Sequence, residues 1–203
     1  RAALTGDALT VGPPIDPEIT GDELSPEVKR ALSTLPTVIA TGVARHLVMA
    51  AQLMDIDPNL ALQHAEVARA RAGRVGIVRE AVGITAYRAG DFATALRELR
   101  TARRLTGSDD QLAAIADSER ALGRPDKALD VVSSAPPGLA PEIQVELLIV
   151  ASGARLDLGQ PEVARQTLEI GELDAAPTSG SPEVRQARAR LLSAYADTLS
   201  ALG

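Results

Sequence analysis

Apolar residues in and just beyond the stretch AYRAGDFATALRELR (residues 86–100) fall one helical turn apart, at Phe92, Ala95, Leu99 and Ala102, directly after a Gly-Asp pair. That period belongs to an amphipathic helix, and a Gly followed by Asp closes one helix and opens the next. The arrangement recurs along the chain. Placing LALQHAEVARARAG (60–73) over TALRELRTARRLTG (94–107) sets Ala61 on Ala95, Ala68 on Ala102, Arg69 on Arg103 and Gly73 on Gly107. The frame continues through Ala128 and Ala164, so the aligned alanines are separated by 34, 33 and 36 residues. A period of this length marks a helical repeat.

Each unit reads as two helices meeting at a glycine. The segments YRAGD, RALGRP, LDLGQP and SALG put Gly90, Gly123, Gly159 and Gly203 at one common place, where a left-handed residue without a Cβ ends a helix. Pro125 and Pro161 stand two residues later, and Pro58 after Asp57 fills that slot in the first unit, because the first turn of a helix needs no amide donor. The pattern predicts first helices near 38–54, 76–89, 109–122, 141–158 and 183–202, and second helices near 58–72, 92–105, 125–134 and 161–170. A short helix reaching about Leu35 precedes them, with Ser25 as N-cap and Pro26 at its first position. Residues 1–24 carry Pro, Gly and acids without a sustained period and are expected to form a mobile leader. Residues 25–203 form the expected repeat domain, with units near 38–73, 76–107, 109–135 and 141–171 and a terminal helix at 183–202. SSAPPGLAP (133–141) and ELDAAPTSGS (172–181) read as loops. The fold class is all-α.

Paired helices at this period resemble the tetratricopeptide repeat. Gly83, Gly90, Phe92, Ala95, Leu99 and Ala102 match in turn that family's small residue, turn glycine, aromatic, alanine, large apolar residue and second alanine, while Arg79 replaces its Trp. The run from Val43 to Gly107, with DSERALGRPDKAL and AYADTLSALG, is similar to a group of uncharacterised tetratricopeptide proteins of actinobacteria. The resemblance implies antiparallel helix pairs stacked in a right-handed superhelix, and further segments on either side of this chain. It also implies a concave groove lined by first helices, into which Val43, His46, Ala50, Leu53 and Met54 of the first unit would point. Ile77, Glu80, Ile84, Tyr87 and Arg88 take those places in the second unit, and Asp110, Ala113, Asp117, Arg120 and Ala121 in the third. The alternative is that these residues pack between neighbouring repeats. Family members that grip acidic chaperone tails use a Lys and Asn pair, where this chain has His46 with Ala50, Glu80 with Ile84, and Ala113 with Asp117, so that ligand is not expected.

Composition narrows the function. The chain has 203 residues, 45% of them apolar, but Phe92, Tyr87 and Tyr195 are its only aromatics, so the core must be built from Ala, Leu, Val and Ile. If the Phe92 ring is buried, its truncation to Ala should cost about 3–5 kcal/mol. No window reaches the roughly 18 apolar residues of a membrane span, and a net charge of -6 disfavours general attraction to anionic surfaces. No membrane association and a cytoplasmic location are expected. The charge is uneven: residues 66–104 hold nine Arg and four acids, whereas the flanking segments are acidic.

The absence of Cys removes disulfides and thiolate catalysis. His46 and His64 lie 18 residues apart on different helices, without metal-ligand spacing, so neither a metal site nor any other cofactor is expected. No phosphate loop or catalytic constellation is legible, and the expected function is non-enzymatic: a scaffold or adaptor holding an unidentified protein or peptide in its groove. One alternative is an RNA-associated protein that uses a convex Arg stripe together with the Arg-rich tail which the resemblance implies ahead of the repeats. Arg69, Arg97, Arg100, Arg103 and Arg104 form a candidate basic surface on the convex side, with Arg97, Arg100 and Arg104 on one helical face. The opposing reading is a solvated face partnered by Glu66 and Glu98. Another alternative is self-association, with Leu191, Leu192, Tyr195, Leu199 and Leu202 of the terminal helix as an apolar stripe that either caps the array or meets a second copy.

Overall fold

Proline and aspartate open most of the helices in the computed structural model, which describes residues 12–170 and 181–202. The helices are α1 (Pro26–Leu32), α2 (Thr37–Leu53), α3 (Pro58–Ala72), α4 (Gly76–Arg88) and α5 (Phe92–Thr106), followed by α6 (Leu112–Ala121), α7 (Pro125–Ser133), α8 (Pro141–Asp157), α9 (Pro161–Glu169) and α10 (Pro182–Leu202). No strand occurs among the described residues, and the chain is all-α. Asp57 and Asp91 cap α3 and α5, each accepting a backbone N–H three residues on at 3.0 Å. Such a side chain satisfies a donor that the first helical turn leaves without a partner. The start of α6 falls later than expected because Leu112 N donates to Asp109 O at 3.1 Å, leaving residues before it in a turn.

The glycine turns are alike down to their hydrogen bonds. Gly90, Gly123 and Gly159 have φ of 79°, 74° and 69°. In each case the amide after the glycine reaches back five residues: Asp91 to Ala86 O, Arg124 to Glu119 O, and Gln160 to Arg155 O, at 2.9, 3.0 and 2.9 Å. This is the Schellman closure, which requires a left-handed residue. Gly203 lies outside the described residues. Gly73 differs from Gly107, its partner in the repeat frame: its φ is -65° against +74°. A Cβ on Gly73 would stand 2.8 Å from Arg69 O, and its carbonyl accepts Arg79 Nε at 2.6 Å, so close approach rather than a left-handed turn accounts for the glycine.

The helices fall into two compact units, one ending at Ser108 and the other starting at Asp109. In the first, α2 packs on α3, α3 on α4, and α4 on α5. Its core gathers Leu32, Val43, Leu47, Ala68, Ala72 and Val78. The repeat-frame alanines Ala61 and Ala95, and Ala128 and Ala164 of the second unit, are all 0% exposed. Small side chains at these places let neighbouring backbones come close. At Gly83 the approach is tighter, since a Cβ there would lie 2.5 Å from Leu99 Cδ2. Phe92 is half-buried, its ring edge-on to Tyr87 with centroids 5.7 Å apart. Its truncation should therefore cost less than that of a fully buried ring.

Of the expected leader, residues 1–11 lie outside the described residues. The rest lies against α2: Ile19 is buried, its carbonyl accepts Arg45 Nε at 2.7 Å, and a Cβ on Gly21 would meet Ala44 Cβ at 2.7 Å. In the second unit α6 packs on α7 and α8, α8 on α9, and α10 on both α8 and α9. The α10 contact buries Ala187, Leu191 and Thr198, while Leu192, Leu199 and Leu202 stay exposed. The loop expected at 172–181 lies outside the described residues except for Ser181.

Candidate functional site

Helix spacing puts Ile77, Glu80, Ile84, Tyr87 and Arg88 on one side of α4, because steps of three and four residues return to the same face. The first four are half-buried and Arg88 is exposed. Packing against Phe92 restrains the Tyr87 ring, and Arg88 Nη2 lies 3.6 Å from Asp55 in the turn after α2. Leu53 and Met54, beside that turn, are also half-buried. This face of the first unit therefore combines aliphatic and aromatic surface with a cation at its end.

The other residues expected in a groove on α2 are interior. Val43, His46 and Ala50 are 0%, 5% and 2% exposed, and Ala50 packs with Ala65 and Val82. His46 meets His64 of α3, with their Nδ1 atoms 2.9 Å apart. His64 is fully buried, burial pushes its proton affinity below the ordinary value, and its Nε2 has no hydrogen-bond partner. A spacing of 18 residues on two helices carries no local sign of this pairing, which the packing of α2 on α3 creates.

In the second unit the expected groove residues Asp117 and Arg120 bind each other at 2.8 Å, and Arg120 also reaches Asp157 on α8 at 3.2 Å. Burial works against the charge on Arg120, but the hydrogen bonds and charges of Asp117 and Asp157 outweigh it and raise the proton affinity. Gly153 of α8 lies against this guanidinium, and a Cβ there would make ordinary contact with Arg120 Nε at 3.4 Å. The group ties α6 to α8. Elsewhere in this unit a cavity of about 480 Å³ is lined by residues including Leu139, Val145, Leu148, Ile170, Val184 and Arg188.

Of the candidate basic surface, Arg69 is half-buried and the other four arginines are exposed. Arg69 pairs with Glu66 at 2.5 Å, and Arg97 with Glu98 at 2.9 Å. Arg100, Arg103 and Arg104 are exposed on α5, with Arg104 donating to Thr101. Glu98 is 1% exposed and also accepts Arg79 Nη1 at 2.6 Å. Burial alone would raise its proton affinity, but hydrogen bonds from Arg79 and Arg97 hold it below the ordinary value. Glu98, expected as a partner on a solvated helical face, is instead interior and paired with Arg79, 19 residues earlier.

Among the described residues no group of three or more His, Asp or Glu could hold a metal ion, and no helix is long and apolar enough to cross a membrane. Compared with known protein families, curated proteins and solved structures, the chain shows no match.

Proposed function

We propose that the chain is a non-enzymatic adaptor of the tetratricopeptide kind, acting in the cytoplasm, which holds a segment of a partner protein against the α4 face of its first unit. The observation that carries this reading is the face itself: Ile77, Ile84 and Tyr87 offer partly exposed apolar surface beside the exposed Arg88. A helix or extended peptide with apolar anchors and an acidic residue would complement it. The recurring Schellman turns and buried alanines support the tetratricopeptide-like stacking of helix pairs within each unit. Pairing of Arg69 and Arg97 with carboxylates weakens the RNA reading.

The test is capture from the source cells with the whole chain as bait, with and without RNase, comparing wild type with Tyr87→Ala/Arg88→Glu. Partners that survive RNase and are lost from the variant support the adaptor. Partners lost with RNase and retained by the variant replace it with the RNA reading.

A further inference from the structure

We infer that the outward face of α10 is a self-association surface, on which a second copy of this chain lays its own α10 antiparallel to the first. The inference does not rest on the α4 reading, because α10 belongs to the second unit.

Two apolar faces run along α10. The inner one is occupied: α10 packs on α8 and α9 and buries Ala187, Leu191 and Thr198. Polar ties fix how the helix is turned about its axis. Thr198 Oγ1 lies 3.4 Å from Ser152 Oγ of α8, Arg190 donates to Glu146 of α8, and Tyr195 Oη donates to Glu169 of α9 at 3.1 Å. With the rotation set, Ala189, Leu192, Ala196 and Leu199 are exposed in a row. Steps of three, four and three residues keep them on one face, the spacing along which two helices pair. Leu192 and Leu199 are 38% and 44% exposed, with Leu202 in the last turn at 41%. Among the described residues no other helix leaves more than one large apolar side chain in water.

The row is complementary to itself. Residues 192 and 196 are centred on position 194, and so are 189 and 199. A twofold axis there sets Leu192 opposite Ala196 of the second copy and Ala189 opposite its Leu199. Each large side chain then meets a small one, which lets the two helices approach closely and interdigitate. Charge selects the direction. Residues 182–192 hold Arg185, Arg188 and Arg190 against one acid, Glu183, whereas residues 193–202 hold Asp197 as their single charge. Arg185 continues the row seven residues before Leu192, so a parallel pair would bring it onto its own copy. An antiparallel pair lays the arginine-bearing half of each helix along the half whose one charge is acidic. The row spans about 15 Å of helix, too short for the roughly 1,200 Å² of a standard interface, so the dimer is weak and forms at high concentration.

The experiment is sedimentation equilibrium of the whole chain from micromolar to millimolar concentration. The average mass is expected to climb from 21.1 kDa toward twice that value. Leu192→Glu/Leu199→Glu alters only exposed positions and should hold the mass at that of a single chain with unchanged helix content. Because the chain has no cysteine, oxidising a mixture of Leu192→Cys and Ala196→Cys chains reports the direction, and the mixed disulfide should exceed either like pair. A mass that stays at 21.1 kDa up to millimolar concentration overturns the inference. So does a dimer that persists in the glutamate variant, and a preference for like disulfides overturns the antiparallel arrangement. The cysteine mixture decides even if the glutamate variant does not fold.

Discussion

Substituting Gly83 by Ala sets two effects of opposite sign against each other. Alanine is the better helix former, and in an open α4 the exchange would stabilise by up to about 1 kcal/mol. Here the new Cβ would stand 2.5 Å from both Cγ and Cδ2 of Leu99 and 3.1 Å from its backbone nitrogen. Leu99 is 1% exposed, so its side chain has no room to turn away, and the backbone contact yields only if α5 moves. Overpacking of this kind costs about 1–3 kcal/mol, so a net destabilisation of roughly 1–2 kcal/mol is expected after the helical gain. Circular dichroism in urea measures the total. Amide exchange of α4 and α5 assigns it to the first unit, which is needed because a chain of two units need not unfold in one step. A double-mutant cycle with Leu99→Ala sharpens the test. Leu99→Ala alone should cost about 2–5 kcal/mol, and the pair should cost at least about 1 kcal/mol less than the sum of the singles. A stabilised Gly83→Ala with slower α4 exchange would falsify the close packing of α4 on α5.

Glu98→Ala leaves the guanidinium of Arg79 without its carboxylate and should destabilise the first unit by about 2–3 kcal/mol, below the full cost of breaking a buried pair because Arg97 is largely exposed. Since Arg79 and Arg97 hold the Glu98 carboxyl below its ordinary value of 4.5, its contribution is present above that pH and lost as pH falls through the lower folded value. Acid titration of stability in Glu98→Gln should lack that component. Asp91→Ala removes the acceptor of the Thr94 amide and should cost about 1 kcal/mol, read as earlier fraying of α5 in amide exchange. Gly123→Ala meets nothing within 4 Å but must adopt a φ of 74°, so thermal unfolding should show a loss of about 1–2 kcal/mol from backbone strain alone, and Gly123→Asn should recover part of it.

By itself the sequence determined where most of the helices begin and end, α6 starting at Leu112 rather than near residue 109 and α1 ending at Leu32 rather than near Leu35, and which small residues would be interior. The signals are local: Asp91 caps the helix it precedes, Gly90, Gly123 and Gly159 supply the left-handed residue their own turns need, and an alanine every 33 to 36 residues marks where helices must come close. Tertiary structure decided what the polar residues do. Only the packing of α2 on α3 brings His46 to His64, turning an expected groove position into half of a buried pair. Only the contact of α4 with α5 carries Arg79 to Glu98, and only that of α6 with α8 carries Arg120 to Asp157. The α4 positions Ile77, Ile84, Tyr87 and Arg88 were named from the resemblance and helical spacing aligns them on one face, whereas the interior fate of His46 and Ala50 depended on which side of α2 its neighbours cover. Capping and turn preferences act within a few residues, but burial and ion pairing depend on partners 18 to 37 residues away along the chain, and the packing of whole helices chooses those partners.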